Sequence, residues 1–209
     1  MSSESSESSD LLILLQTAKL KGRPSEADLL AAGGLDAAAT VAALVDSGAL
    51  DRAGSRLKLT PPGRAELDRL LAAERATVDQ EALKGVYHEA FDALNTTFKQ
   101  LVTDWQLIDG TRPNDHSDTA YDAAIVFRLG ELHQQLVPLL DRLVGFASRL
   151  SGYRERFGAA LCKVRAGDHS WLARPMVDSY HTVWFELHEE LIGLSGLSRA
   201  QEAAAGRAE

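Results

Sequence analysis

The sequence predicts a mainly α-helical protein with one small β-hairpin, organised in two parts. Helix caps and chain breakers divide the first part into short helices, and two short strand-like stretches flank a glycine turn. From residue 83 onward, apolar residues recur every three or four positions, which is the pattern of amphipathic helices. The amino-acid composition also differs between the two parts, because all Trp, Tyr, Phe and His residues lie between positions 86 and 192.

The first part is predicted to fold as three helices, a hairpin and a fourth helix. Ser25 is a good N-cap, with Asp28 three positions on as a loose capping box, and Gly48 suits a helix end. Gly54 suits a tight turn, and Thr60 caps the next helix with prolines in its first turn. The predicted helices cover residues 10–20 (capped by Asp10), 26–32, 36–47 (capped by Asp36) and 63–85, and the strands cover 49–52 and 56–60.

The second part is predicted to be an antiparallel bundle of four helices. Its first helix carries an apolar stripe from Leu83 to Trp105, and a polar segment over 109–118 must be a loop. Pro138 lies inside the second helix and is expected to kink it. The predicted helices cover 83–108, 119–150, 153–165 and 175–194, and the core face of the second helix carries Ile125, Leu129, Leu132, Leu136, Leu139 and Leu143.

These boundaries give four segments. We expect a disordered polar tail over residues 1–9, a first domain over 10–75, a helical domain over 76–197 and a frayed tail over 198–209.

Charge and cysteine content limit the class of protein. Lys plus Arg number 22 and Asp plus Glu number 30, so the formal net charge is −8. This charge argues against a protein that binds polyanions through its whole surface. The lone Cys162 excludes an internal disulfide framework and a multi-cysteine zinc site. No apolar run approaches the roughly 20 residues that span a bilayer, so a cytoplasmic protein without membrane contact is expected.

Two segments of the first part carry a family resemblance. Residues 44–50 lead from the third helix into the first strand, and residues 57–63 look like a wing strand that runs into a Leu-Thr-x-x-Gly pattern. Over residues 10–75, about a third of the chain, the sequence resembles the winged helix-turn-helix of MarR- and PadR-type regulators. The resemblance implies DNA binding, a third helix that enters the major groove, and a homodimer that reads two half-sites.

The candidate DNA-binding residues follow from this resemblance and from the charges near the hairpin. Thr40 is the polar residue near the start of the predicted reading helix. Positions 24–51 hold five acidic residues and no basic residue, so phosphate contacts must come from either side of that helix. The candidate phosphate-binding residues are Lys19, Lys21 and Arg23 before the second helix, and Arg52, Arg56 and Lys58 on the predicted wing.

Aromatic and histidine side chains of the second part are candidates for an effector pocket between helices. On the last helix Tyr180 and Trp184 share one face, and His181 and His188 lie on its flank. The two histidines are about 10 Å apart along the helix, too far for one metal ion. The alternative for these residues is a packed core. The candidate pocket residues are Trp105, His133, Tyr180, His181, Trp184 and His188.

Acidic side chains of the second part are expected to be solvated or to have structural roles. Glu186, Glu189 and Glu190 lie opposite the apolar face of the last helix. The 109–118 loop holds several aspartates and His116, a set able to bind a divalent cation, but the spacing matches no EF-hand and Asp118 suits an N-cap. No metal or cofactor is therefore predicted.

The motifs favour a regulator over an enzyme. The sequence has no nucleophile elbow or Gly-rich phosphate loop, so we predict that the protein is not an enzyme. The first hypothesis is a transcriptional regulator that dimerises through the apolar stripes of its helical part and holds a small-molecule effector there. The alternative is an adaptor whose winged domain no longer binds DNA and serves a metabolic enzyme. Residues 103–106, 114–118 and 179–184 resemble helical modules that accompany pyruvate-dikinase-type, PEP-using proteins.

Overall fold

The computed structural model describes residues 2–197 and divides into two compact units at the boundary between Thr77 and Val78. The described chain is mainly helical with a small antiparallel hairpin in the first unit, as the sequence predicts. The sequence places the domain boundary two residues earlier, between 75 and 76. The frayed tail predicted over residues 198–209 lies outside the described residues. Within residues 2–197, no helix is both long and apolar enough to cross a membrane.

The first unit has the element order that the sequence predicts. Its helices and strands are α1 (Ser2–Lys21), α2 (Glu26–Ala32), α3 (Ala37–Asp46), β1 (Leu50–Ala53), β2 (Arg56–Leu59) and α4 (Pro61–Arg75). Its core is almost entirely aliphatic, because the first 77 residues contain no aromatic side chain. Leu14, Leu15 and Leu29 are fully buried at its centre, together with Val41 and Leu57.

Helix α1 starts earlier than the sequence predicts. It begins at Ser2, within the tail that the sequence predicts over 1–9, and the predicted N-cap at Asp10 is wrong because Asp10 lies inside the helix. The physical reason is that no glycine or proline precedes Lys21, so nothing in the chain stops the helix from extending toward the N-terminus. Asp10 instead lies within α1 and is half-buried.

The predicted caps of α2 and α3 behave differently. The amide of Asp28 donates to Ser25 Oγ at 3.2 Å and the amide of Ser25 donates to Asp28 Oδ2 at 2.6 Å, which completes the predicted capping box. Asp36 occupies the N-cap position of α3, but its side chain makes no capping hydrogen bond. Its backbone is not in the extended conformation that an N-cap side chain needs.

The hairpin is joined closely to α4. Leu50 pairs with Leu59, and the turn is made by Gly54, whose φ of 65° suits glycine. Thr60 Oγ1 accepts from the amide of Gly63 at 3.2 Å and donates to the carbonyl of Ala49 at 3.0 Å. A Cβ on Gly63 would collide with the same carbonyl, so glycine is needed for the close contact between α4 and the end of β1.

The second unit is built from longer helices. Its elements are α5 (Gln80–Val86), a π-helical turn (Tyr87–Phe91), α6 (Asp92–Gln106), β3 (Leu107–Ile108), β4 (Arg112–Pro113), α7 (Thr119–Val144), a 3-10 turn (Ser148–Ser151), α8 (Gly152–Arg165), a 3-10 turn (His169–Leu172) and α9 (Tyr180–Leu194). Helix α7 is capped by Asp118, which accepts from the amides of Ala120 and Tyr121, and Pro138 lies inside it, as predicted.

Several predicted boundaries in and before the second unit are wrong. A continuous helix over 63–85 does not form, because α4 ends at Arg75 and Asp79 caps a new helix by accepting from the amide of Ala82 at 3.0 Å. The predicted 109–118 loop begins with the turn and second strand of a small hairpin.

The structure also differs from the predicted end of one helix at 150 and the predicted start of another at 175. Helix α7 ends at Val144 with Gly145 as its C-cap, and the backbone is extended at Ala147. Helix α9 starts at Tyr180 rather than 175, since Met176 has a φ of 65° and Ser179 provides the cap.

The apolar stripes of the second unit form its core. The predicted core face of α7 is buried, and so is the stripe on α5 and α6 except for the half-buried Leu94. These stripes pack against each other inside one chain. They are therefore not the exposed surfaces that the sequence offered for a homodimer, and the homodimer remains a prediction.

Candidate functional site

Three of the predicted phosphate-binding residues lie together in the first unit. The segment before α2 runs beside β2, since the amide of Leu57 donates to the carbonyl of Pro24 at 2.8 Å and Ser25 forms a β-bridge with Arg56. Arg56 Nη1 lies 3.4 Å from the carbonyl of Arg23, to which it donates. Because Leu57 and Leu59 are buried, the alternating residues Arg56 and Lys58 lie on the outer face of the hairpin. Arg23, Arg56 and Lys58 therefore form one exposed basic cluster, called here the basic cluster.

The other predicted cations are arranged differently. Arg52 pairs across the hairpin with the buried Leu57, so it lies on the opposite face, and its guanidinium forms an ion pair with Glu26 at 2.8 Å. Lys19 is exposed and Lys21 is half-buried in the last turn of α1. The structure thus separates Arg52 from the basic cluster.

Carboxylates lie next to the basic cluster. Asp28 Oδ2 lies 3.9 Å from Arg56 Nη1, and Asp51 is the cross-strand partner of Lys58. Neighbouring negative charges reduce the attraction that these cations exert on a phosphate. The local electrostatics therefore favour weak rather than tight binding of a polyanion.

The predicted reading helix α3 presents almost no polar chemistry. Thr40 is half-buried, and its hydroxyl donates to the carbonyl of Asp36 at 3.1 Å. Serine and threonine hydroxyls in helices often bond their own backbone in this way. The exposed side chains of α3 are those of Ala38, Ala39, Ala42, Ala43 and Asp46. This surface offers methyl groups and one carboxylate.

The rings predicted to line an effector pocket pack on one another in the second unit. The ring centroids of Phe98 and Trp184 lie 4.4 Å apart, and those of Phe157 and Tyr180 lie 4.8 Å apart. The indole N–H of Trp184 donates to Asn95 Oδ1 at 2.9 Å. Tyr180 and Trp184 are consequently core residues, which was the alternative for them in the sequence.

The four other predicted pocket residues lie in different surroundings. His133 Nδ1 is 3.2 Å from the hydroxyl of Tyr180, whereas the buried His188 bonds Tyr87. His181 is exposed. Trp105 lies near the loop, with its ring 4.4 Å from that of His116. The six residues do not converge on one pocket.

Burial shifts the pKa of one hydroxyl group and one imidazole group in this region. Burial raises the pKa of Tyr180, so its phenol stays protonated. Burial, followed by the positive charges of Arg165 and Arg154, lowers the pKa of His133. The hydrogen bond between these two side chains therefore joins neutral groups at neutral pH.

Helix α9 contributes to buried ion pairs that the sequence pattern does not indicate. Glu190 is 4% exposed and meets Arg149 at 2.7 Å, and Glu186 is 3% exposed and meets Arg156 at 2.5 Å. The prediction that these glutamates lie on the polar face is therefore wrong. Arg156 also binds Asp178. Their arginine partners come from the segment before α8 and from α8 itself, a pairing that helical periodicity does not reveal.

The polar loop before α7 is closed by internal hydrogen bonds. Asp122 is buried and accepts from Asn114 Nδ2 at 2.9 Å, and His116 Nδ1 lies 3.0 Å from its second carboxylate oxygen. His116 has a positive φ of 60°, and its ring contacts that of Trp105. No group of potential metal ligands occurs within residues 2–197.

A groove in the second unit lies beside the π-helical turn. It is open to solvent, and its volume is about 450 Å³. A π-helical turn holds one more residue per turn than an α-helix, and such turns are frequent at functional sites. The groove is lined by Ala82, Gly85, Val86, Glu89, Arg142 and Phe146. Sequence reasoning missed it because its walls come from α5, the π turn and the far end of α7.

Opposite charges line this groove without meeting. The side chains of Glu89 and Arg142 are exposed, and in the described part of the chain neither forms a hydrogen bond or an ion pair. Val86 and Phe146 supply apolar surface to the same groove. The groove therefore offers one anionic group, one cationic group and apolar surface.

No family model, curated protein or solved structure matches this chain.

Proposed function

We propose that the protein is a DNA-binding transcriptional regulator of winged-helix architecture, whose helical second unit forms the homodimer and holds a small-molecule effector. The observation that carries the proposal is the basic cluster on the hairpin of the first unit. The segment before α2 pairs with β2 and brings Arg23 beside Arg56, with Lys58 on the same outer face. In a winged helix this hairpin lies beside the reading helix and contacts the DNA backbone.

The chemistry of the proposed DNA-binding surface predicts phosphate-dominated binding. Lys19, Arg23, Arg56 and Lys58 are its exposed cations, and the methyl groups of α3 contact only apolar groups such as the thymine methyl. With about four phosphates neutralised, the logarithm of the binding constant falls with the logarithm of salt concentration with a slope of about −3.6. Sequence selectivity is expected to be low.

The experiment is a fluorescence-anisotropy titration of the full chain against the DNA that flanks its own gene, repeated at several salt concentrations. The double variant Arg56→Ala, Lys58→Ala should lose at least tenfold in affinity and show a shallower salt slope. The control variant Arg64→Ala, Arg69→Ala removes the same charge from α4 and should bind as the parent does. Absence of binding at low salt, or equal losses in both variants, would reject the proposal.

A second candidate function is a protein-binding adaptor, the alternative that the sequence left open. The observation that favours it is exposed apolar surface in this region: Leu30 on α2 is 40% exposed, Leu35 between α2 and α3 is fully exposed, and α3 carries exposed alanines. A metabolic enzyme, with PEP-using enzymes first, is the class of partner to test. The adaptor is favoured if DNA binding is absent and a purified enzyme of this class forms a complex that Leu30→Ser, Leu35→Ser abolishes.

A further inference from the structure

We propose that the groove lined by Glu89 and Arg142 binds a small zwitterion with an apolar body, such as a free amino acid with an apolar side chain. The proposal deepens the effector half of the proposed function and rests on it for what the ligand would control. The binding event itself concerns the second unit alone, so it is measured without DNA.

Two opposite charges border the groove. Glu89 lies on the π-helical turn and Arg142 lies in the last turn of α7, and both border the same 450 Å³ volume. Both side chains are exposed and make no hydrogen bond or ion pair within residues 2–197, so both charges are accessible to a ligand. A ligand that carries a positive and a negative group can pair with both.

Each group that lines the groove matches one chemical group of an amino acid. A guanidinium binds a carboxylate through two parallel hydrogen bonds, so Arg142 is suited to the ligand carboxylate. The Glu89 carboxylate is suited to the ligand ammonium group. Val86 and Phe146 leave apolar surface for the ligand body, which is the usual composition of a small-molecule site.

Gly85 leaves open space beside the groove. Apart from its chain neighbours and the nearby backbone of its own helix, no atom lies within 4 Å of the position that a Cβ on Gly85 would occupy, and this glycine lines the groove. A helix-interior glycine costs stability relative to alanine, so the open space is maintained at an energetic cost. The same space makes Gly85→Leu a blocking variant that fills the groove without a collision at Cβ.

The experiment is isothermal titration calorimetry of the full chain with L-phenylalanine and L-leucine. Two analogues of L-phenylalanine, 3-phenylpropionate and 2-phenylethylamine, retain only the carboxylate or only the ammonium group. The expected result is that L-phenylalanine or L-leucine binds at least tenfold more tightly than either analogue of a single charge. Glu89→Gln should weaken amino-acid binding at least tenfold and leave the affinity for 3-phenylpropionate within twofold of the parent value. Arg142→Gln should weaken amino-acid binding at least tenfold and leave the affinity for 2-phenylethylamine within twofold.

Blocking variants complete the test. Gly85→Leu should abolish amino-acid binding, whereas Gly158→Leu, the same change at an open helical glycine of α8 outside the groove, should bind as the parent does. The proposal is overturned if neither amino acid binds at concentrations up to about 10 mM, if the single-charge analogues bind equally well, or if Gly85→Leu binds normally. Because no DNA is present, these outcomes are independent of those that decide DNA binding.

Discussion

The hydroxyl of Tyr87 and Nε2 of His188 lie 2.9 Å apart in the interior of the second unit, although 101 positions separate them in the chain. Tyr87 is fully buried and belongs to the π-helical turn, while His188 is 9% exposed and belongs to α9. The ring of Phe91 lies against both. Each polar group therefore has a partner where water does not reach, and the bond joins the turn beside the groove to the last helix.

Tyr87→Phe is expected to destabilise the second unit by about 1–3 kcal/mol, because it leaves His188 Nε2 buried without the phenol. Urea unfolding followed by tryptophan fluorescence measures this unit, since all three tryptophans lie in it. Tyr121→Phe is the control: Tyr121 is half-buried and its hydroxyl donates to the carbonyl of Asp104 at 3.0 Å. A loss in Tyr87→Phe no larger than that in the control would contradict a structural role for the buried bond.

The buried ion pair between Arg149 and Glu190 gives a second prediction. Their side chains are 4% and 5% exposed. Arg149→Met should lower the free energy of unfolding by about 3–5 kcal/mol, because the remaining carboxylate is buried without its cation. Adding Glu190→Leu should recover most of the loss. The measurement is the same urea titration, with the double variant compared with each single variant.

An exposed pair provides the matched control for that prediction. Arg154 and Asp141 are each 57% exposed and meet at 2.6 Å. Arg154→Met should cost at most about 1 kcal/mol, because water solvates Asp141 when its partner is removed. Equal losses for Arg149→Met and Arg154→Met would show that burial does not decide the energetics of these pairs.

The first unit was largely predictable because its signals are local. The capping box at Ser25 and the cap at Thr60 each involve residues three positions apart, and the strands flank a glycine turn. The start of α1 was missed because disorder was inferred from polar composition, which does not prevent a helix from extending.

The candidate sites were less predictable because they depend on contacts between distant residues. The charge of Glu190 indicates an exposed position, and only the approach of Arg149 makes its burial possible. The groove walls at Glu89 and Arg142 likewise come from elements about fifty positions apart. Periodicity identifies which face of a helix is apolar, but it does not tell which helices meet or where they leave space.

Gly63→Ala is expected to destabilise the first unit by about 1–3 kcal/mol, although alanine is the better helix former. The reason is that a Cβ at this position collides with the carbonyl of Ala49. Gly85→Ala is the control, because the added methyl meets open space and should stabilise its helix by about 0.5–1 kcal/mol. Hydrogen exchange of amides in each unit reports the two effects separately. Unchanged exchange in the first unit of Gly63→Ala would refute the close contact.

The pH dependence of stability should carry a contribution from His133. Burial and the nearby guanidinium groups of Arg165 and Arg154 lower the pKa of its imidazole in the folded protein, while the unfolded chain keeps the ordinary value of 6.5. Below that value the unfolded state binds more protons than the folded state at this position. The contribution to stability is therefore complete above about pH 6.5 and is lost as the pH falls toward the lowered pKa.

His133→Gln should reduce the loss of stability between about pH 7.5 and about pH 5, because glutamine does not titrate and still has a hydrogen-bonding group for the hydroxyl of Tyr180. The measurement is the urea midpoint across this pH range. If His133→Gln kept the slope of the parent protein, burial of His133 would not contribute to the acid sensitivity of the second unit.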